Sequence, residues 1–142
     1  MRVLIDTNVI IDVLQNREPW CAAGKKIFLA VANKEISGCL TAKEVTDIHY
    51  ISRKQFKGNS NIDTTCREIL SRLLNLFEVL DTTSSDCKNA FAIENNDYED
   101  AVMLSTAIRS GVDCIITRDA EHYKTPPIPV YTSEEFVSKY CP

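Results

Sequence analysis

The stretch Arg2-Val3-Leu4-Ile5-Asp6-Thr7-Asn8-Val9-Ile10-Ile11-Asp12-Val13-Leu14 decides how the rest of the chain is read. Val3, Leu4 and Ile5 form a short continuous apolar run, as expected of a strand buried on both faces. Asp6-Thr7-Asn8 leaves it, and Val9 to Leu14 is helix-like and mostly apolar. A strand running directly into a helix is the first half of a βα unit, and the alternation recurs downstream. Glu35 to Leu40, Phe77 to Leu80, Cys114 to Thr117 and Ile128 to Tyr131 read as further short strands. Helices are expected from Pro19 to about Asn33, from Thr41 to about Lys54, and from Ile62 or Asp63 through Leu76. Three more are expected from Ser85 to about Asn95, from Asp97 to Gly111, and after Thr132. Thr41-x-x-Glu44 and Thr132-x-x-Glu135 are capping-box sequences, and Gly111 is placed to end a helix in a left-handed turn. Short apolar strands alternating with helices predict an α/β domain with a mostly parallel sheet, one unit over residues 1–142.

Composition excludes several classes. The chain has 142 residues, a length that suits one domain with a real core. Only four glycines and five prolines argue against long irregular loops. No apolar run approaches the roughly 20 residues of a membrane span, and the N-terminus lacks the regions of a signal peptide. The expected location is therefore cytoplasmic, away from membranes. The six cysteines stand singly at 21, 39, 66, 87, 114 and 141, with no C-x-x-C pair and only two histidines, His49 and His122. That spacing predicts no structural zinc, and it fits free thiols in a reducing compartment. A net charge of −4 does not suggest coating of nucleic acid through bulk charge.

The aspartates carry the functional signal. Asp6 ends the first strand, and Asp119 follows the fourth by two residues. Open parallel sheets place their ligands at the carboxyl ends of strands. Each acid also has an ordinary explanation, because Asp commonly caps helices. Asp100 opens a helix beside Ala101-Val102-Met103-Leu104, so its carboxylate should lie near the core edge. Asp97 and Glu99 fit simple helix-dipole complementation. Glu44 and Asp47 compete for one role on the third helix. Glu44 already has work as the partner of Thr41. Asp47 stands among Val45, Ile48 and Tyr50 against its helix propensity, so Asp47 is preferred and Glu44 is the alternative. Thr117 is placed to orient a neighbouring carboxylate. Gathered acids repel and lose hydration, an arrangement that a divalent cation offsets. A metal site and phosphoryl chemistry are the expectation.

At this point the chain resembles a known family. Val3-Leu4-Ile5-Asp6-Thr7-Asn8-Val9-Ile10-Ile11-Asp12 looks like the start of PIN domains, as in VapC-type toxins. Asp97-Tyr98-Glu99-Asp100-Ala101-Val102 and Ile115-Ile116-Thr117-Arg118-Asp119 look like the later acidic motifs. Thr41 to Tyr50 resembles the middle motif, whose acid follows a small hydroxyl residue by about six positions, which lands on Asp47. The family usually has Glu there, and many members show Asp-Phe where this chain has His122-Tyr123. The resemblance implies a three-layer α/β/α sandwich around a parallel sheet of about five strands. It implies metal-dependent cleavage of RNA, with Mg²⁺ or Mn²⁺ held by Asp6, Asp47, Asp100 and Asp119. Asn8, Thr117 and Asp97 are the expected outer contacts to those acids or to substrate. Lys54, Lys57 and Arg118 are candidates for the RNA backbone.

Two classes of function follow. One is an endoribonuclease acting as the toxin of a toxin–antitoxin pair, a homodimer whose acidic cleft an antitoxin protein blocks. The other is a degenerate PIN domain that binds RNA or a protein without cutting. A phosphoacceptor receiver domain also clusters acids at strand ends, but Lys124 is not in the context that such a domain needs.

Overall fold

In the computed structural model of the chain, which describes residues 1–141, five strands pair into one all-parallel sheet. They are β1 (Arg2–Ile5), β2 (Ser37–Thr41), β3 (Glu78–Leu80), β4 (Cys114–Ile116) and β5 (Val130–Tyr131), in the order β3-β2-β1-β4-β5. Central β1 is paired on both sides, with Leu4 opposite Cys39 of β2 and opposite Ile115 of β4. The chain builds outward from β1 to β3, then crosses back to lay β4 on the other side. β1 and β4 are therefore neighbours whose connections run in opposite directions, the topological switch point at which open α/β sheets bind ligands.

Seven α-helices surround the sheet: α1 (Thr7–Leu14), α2 (Cys21–Ala32), α3 (Ala42–Gln55), α4 (Ile62–Leu76), α5 (Ser84–Asn89), α6 (Tyr98–Arg109) and α7 (Ser133–Tyr140). The period-2 alternation of strand side chains sorts them into layers. Val3, Ile5, Leu40, Cys114 and Ile116 point to one face and pack with α1, α2, α4 and α7 through Ile10, Ile27, Leu73 and Phe136. Leu4, Cys39, Leu80 and Ile115 point to the other and pack with Met103, Leu104 and Ala107 of α6. This is the three-layer sandwich with a five-strand parallel sheet that the sequence led us to expect. Among the described residues no helix is long and apolar enough to cross a membrane. All six cysteines are free thiols.

Local chemistry sets the element ends. Both expected capping boxes form: Thr41 Oγ1 accepts from the Glu44 amide at 3.2 Å, and Thr132 Oγ1 accepts from the Glu135 amide at 3.2 Å. Gly111 takes φ 66° after α6, a conformation that favours glycine. Some boundaries differ from expectation. The second helix begins at Cys21, after a turn through Pro19. The fifth is capped by Thr83 rather than Ser85, with Asp86 closing the box. It ends at Asn89 and passes through a 3₁₀ turn, Ala90–Ala92, instead of reaching Asn95. Ile93 then turns extended and packs against the buried Ala90, Ala101 and Val102. Burial of that side chain outweighs continuation of the helix.

Gly38 of β2 is the tightest approach in the sheet. A Cβ there would lie 2.7 Å from the Phe77 ring and 2.8 Å from Val31 Cγ2. Gly38→Ala is expected to destabilise the protein by about 1–3 kcal/mol through overpacking. Urea denaturation checks this; an unchanged midpoint would show that the Phe77 ring shifts freely.

Candidate functional site

Three helices begin at one edge of the sheet, and each brings a carboxylate in its first residues. Asp6 occupies the N-cap position of α1, Glu44 is the third residue of α3, and Asp100 is the third residue of α6. The positive end of each helix dipole faces these charges and offsets part of their repulsion. Asp6 stands where an ordinary cap would, yet its side chain makes no capping hydrogen bond. Instead it accepts a 2.7 Å hydrogen bond from the Thr117 hydroxyl, at the end of β4. Asn8 ties in the next acid: its Nδ2 donates to Asp119 Oδ2 at 3.0 Å, and its Oδ1 accepts from the Arg118 amide at 3.2 Å. Thr117 thus lies against a neighbouring acid, while Asn8, expected to orient a substrate phosphate or a water on the ion, holds Asp119 and the Arg118 amide.

Asp6, Glu44, Asp47 and Asp100 line a single groove of about 380 Å³ between α3 and α6. Glu44 is buried. Its Oε2 accepts from the Thr41 amide at 2.6 Å, while its Oε1 lies 3.4 Å from the Thr7 hydroxyl on the side facing Asp6. One carboxylate thus closes the capping box and also faces the acid pocket. Capping work therefore does not keep Glu44 out of the pocket, and it stands beside Asp47 as the alternative acid. Asp47 sits at the rim, where Lys43 Nζ lies 2.6 Å from its Oδ2 and 3.2 Å from Glu99 Oε2, strapping α3 to α6. The i,i+4 spacing of Lys43 and Asp47 was the signal for that strap. Asp97 caps α6, accepting from the Glu99 amide at 2.8 Å.

Electrostatics separates these acids from the structural ones. Asp86 is fully buried, but Arg109 donates to both its oxygens at 2.8 and 2.9 Å and Thr106 donates at 3.0 Å. Those partners hold its carboxyl well below the usual range. Asp6, Glu44 and Asp100 behave oppositely. Desolvation pushes all three up, and the charge of Asp6 adds to it at Glu44 and at Asp100. Asp100 reaches about 6. Neither Asp6 nor Glu44 has a lysine or arginine partner among the described residues. Asp100 has only His122, whose Nδ1 lies 3.4 Å from its Oδ2. Beneath them Tyr123 is buried with its hydroxyl unpaired, and burial together with these acids keeps the phenol protonated. Sequence reading noted Tyr123 only as a departure from a motif and missed its place under the site.

The basic candidates are engaged differently. Arg118 lies 4.4 Å over the Trp20 ring and 3.4 Å from the buried Asp12, so its half-buried guanidinium is already engaged. Lys54 lies 4.4 Å over the exposed Tyr50 ring but does not line the groove, and Lys57 is exposed in the turn after α3.

A family model described as "PIN domain" matches residues 2–121. Three solved structures share the fold. A chain of a toxin–antitoxin complex from Klebsiella pneumoniae is similar at a TM-score of 0.66 and 19% identity, covering 92% of this chain and 97% of that one. A chain of VapBC2 from Rickettsia felis, bound to a DNA fragment from its promoter, is similar at 0.61 and 15%, with the same coverage. Mycobacterium tuberculosis VapC20, a toxin that cleaves the Sarcin-Ricin loop, is similar at 0.59 and 13%, covering 80% and 86%. No curated protein sequence matches significantly.

Because Asp100 titrates near 6 when folded and near 3.8 otherwise, the metal-free protein loses stability as pH rises through that window. Below it the residue is protonated in both states and contributes nothing. Asp100→Asn is expected to stabilise the EDTA-treated protein by about 1–2 kcal/mol at pH 7.5 and to have no effect near pH 3.5. Urea unfolding at both pH values checks this; equal stability of the two proteins at pH 7.5 would show that Asp100 is not strained there.

Proposed function

The chain belongs to the PIN domain family, and from that premise we propose that it is a divalent-metal-dependent endoribonuclease, the toxin of a toxin–antitoxin pair. The observation that carries the reading is the meeting of desolvated carboxylates without lysine or arginine partners, among the described residues, where β1 and β4 diverge. Among the described residues no three such side chains yet converge on one coordination point. The donor set nevertheless fits a hard cation. Its donors are carboxylate oxygens, and its charges repel one another in the way that Mg²⁺ or Mn²⁺ relieves. Asp6, Asp100 and Asp119 would hold the ion, with either Asp47 or the inward-facing Glu44 completing the set.

Bound there, the ion would supply an acidified water and stabilise charge on the leaving oxygen. The chain's own groups prepare the rest. Thr117 and Asn8 fix the orientations of Asp6 and Asp119 through the hydrogen bonds described above. Tyr123 offers a neutral hydroxyl donor beneath the acids, and His122 bears on Asp100. Lys54 and Lys57 would meet the RNA backbone on the α3 side. Arg118 serves better by holding the loop that carries Asp119 than by reaching substrate. A homodimer, an antitoxin covering the acidic groove and a cytoplasmic location complete the proposal. The Lys43–Asp47 pair favours one rival, a PIN domain that binds RNA or protein without cutting.

Calorimetry with Mn²⁺ and a single-stranded RNA cleavage assay separate the two readings. Wild type is expected to bind Mn²⁺ and cut. Asp6→Asn should lower cleavage by roughly 100-fold or more. Thr117→Val should cost about 10- to 100-fold in metal affinity or activity, as loss of an orienting partner does. RNA retained uncut by a protein that ignores Mn²⁺ would favour the rival.

A further inference from the structure

The groove continues past the acids and changes character. Down one face of α3 the order is Glu44, Asp47, Tyr50 with Ile51, then Lys54. Down the facing side of α6 it is Asp100, then Val102 and Met103, then Thr106. The α3 series, and Asp100, Met103 and Thr106 of α6, recur at three- or four-residue spacing, so each lies along a single helix face, with Val102 flanking the second. The helices start at the acid end, so carboxylates gather there with Lys43 between two of them, apolar walls follow, and the Lys54 ammonium lies beyond the lining, against Tyr50. Tyr50 is 61% exposed, although a large aromatic side chain beside an apolar slot is ordinarily covered. Its ring is in line with the slot and carries the Lys54 ammonium at 4.4 Å.

We propose that the apolar part of this groove is a nucleobase subsite, in which one unpaired base of the RNA stacks on Tyr50 beside Ile51, Val102 and Met103. The inference rests on the nuclease reading and names what that site selects. A nucleotide has the same sequence of chemistries as the groove. A phosphate needs the cation-bearing acids, a flat base needs apolar walls and an aromatic platform, and the next phosphate needs a cation, here Lys54. A groove of about 380 Å³ lies within the range of sites that enclose small ligands. A base still paired in a duplex cannot enter a slot between two helices, so the subsite selects single strands or bases that can be splayed out. Stacking tolerates any base, because every base has a π-face. The walls offer the Thr82 hydroxyl, which has no hydrogen-bond partner, as the polar group that discriminates among bases.

The test uses the full chain and a set of single-stranded RNA hexamers in which 2-aminopurine is walked along the strand, with Mn²⁺ present. Fluorescence reports stacking and gel analysis reports cutting. Quenching at one position next to the cut is expected in wild type. Tyr50→Ala should abolish the quenching and raise KM about tenfold while kcat changes by less than threefold. Tyr50→Phe, which keeps the ring, should restore both. An abasic residue at the quenched position should raise KM for wild type and make no further difference to Tyr50→Ala. Cutting without quenching, with KM unchanged in Tyr50→Ala, overturns the subsite and leaves the nuclease reading intact. Tyr50-dependent quenching without cutting upholds the subsite and overturns the nuclease reading. Neither signal overturns both.

Discussion

The parallel pairing of β1 with β4 is the constraint on which the site depends. Ile5 lies opposite Ile116, and the Asp6 amide extends the ladder by donating to the Ile116 carbonyl at 2.9 Å. Two parallel strands in register must leave the sheet at the same edge, and here their connections then part. β1 turns at once into α1, while β4 continues into Thr117, Arg118 and Asp119. The register therefore sets the Thr117 hydroxyl against Asp6 and brings Asn8, the second residue of α1, within reach of Asp119. A one-residue slip would exchange the faces of every strand side chain and break both contacts.

Two kinds of buried acid coexist in this fold, and their difference separates architecture from chemistry. Asp86 has a hydrogen-bond or ionic partner for each oxygen and titrates low. It joins α5 to α6 and is fully explained by stability. Asp6, Glu44 and Asp100 are desolvated beside one another and titrate high. Helix dipoles and the Thr117 hydroxyl offset only part of that cost. Buried charge left uncompensated by the protein is strain that the surrounding packing must hold in place, and such strain concentrates at functional sites. Asp12 lies between these cases. It is buried with neither oxygen hydrogen-bonded, but Arg118 and Arg17 face it at 3.4 and 4.0 Å. The Arg118 contact steadies the segment that presents Asp119.

The groove between α3 and α6 inherits its polarity from helix direction. Both helices start at the carboxyl edge of the sheet, so their first turns carry acids and their middle turns carry apolar side chains. The Lys43 strap crosses the mouth of the groove between Asp47 and Glu99. Its ions are partly solvated, which makes it a weak tie that either helix can release. Asp47 is thus held only by this exposed pair, whereas Glu44 is fixed by the Thr41 cap.

How much was legible in the chain follows the range of the interaction involved. Strand runs, helix caps, the left-handed Gly111 and the acids at strand ends are recorded within a few residues of each position. The layered α/β class, Asp6 after the first strand and Asp100 on the sixth helix could all be read from the sequence alone. The early end of the fifth helix could not, because Ile93 finds its partners on α6. Nor could the arrangement of Glu44 and Asp47. Local propensity counts one role per side chain, but only the packed structure shows Glu44 closing a cap with one oxygen and facing Asp6 with the other. Tyr123 beneath the acids, Arg118 drawn onto Trp20 and Asp12, and Tyr50 in line with the apolar slot were likewise decided by tertiary contacts. Sequence by itself determined which residue types stood at the ends of which elements. Only folding decided which of them meet, because parallel pairing brings together side chains that lie up to 111 positions apart in the chain.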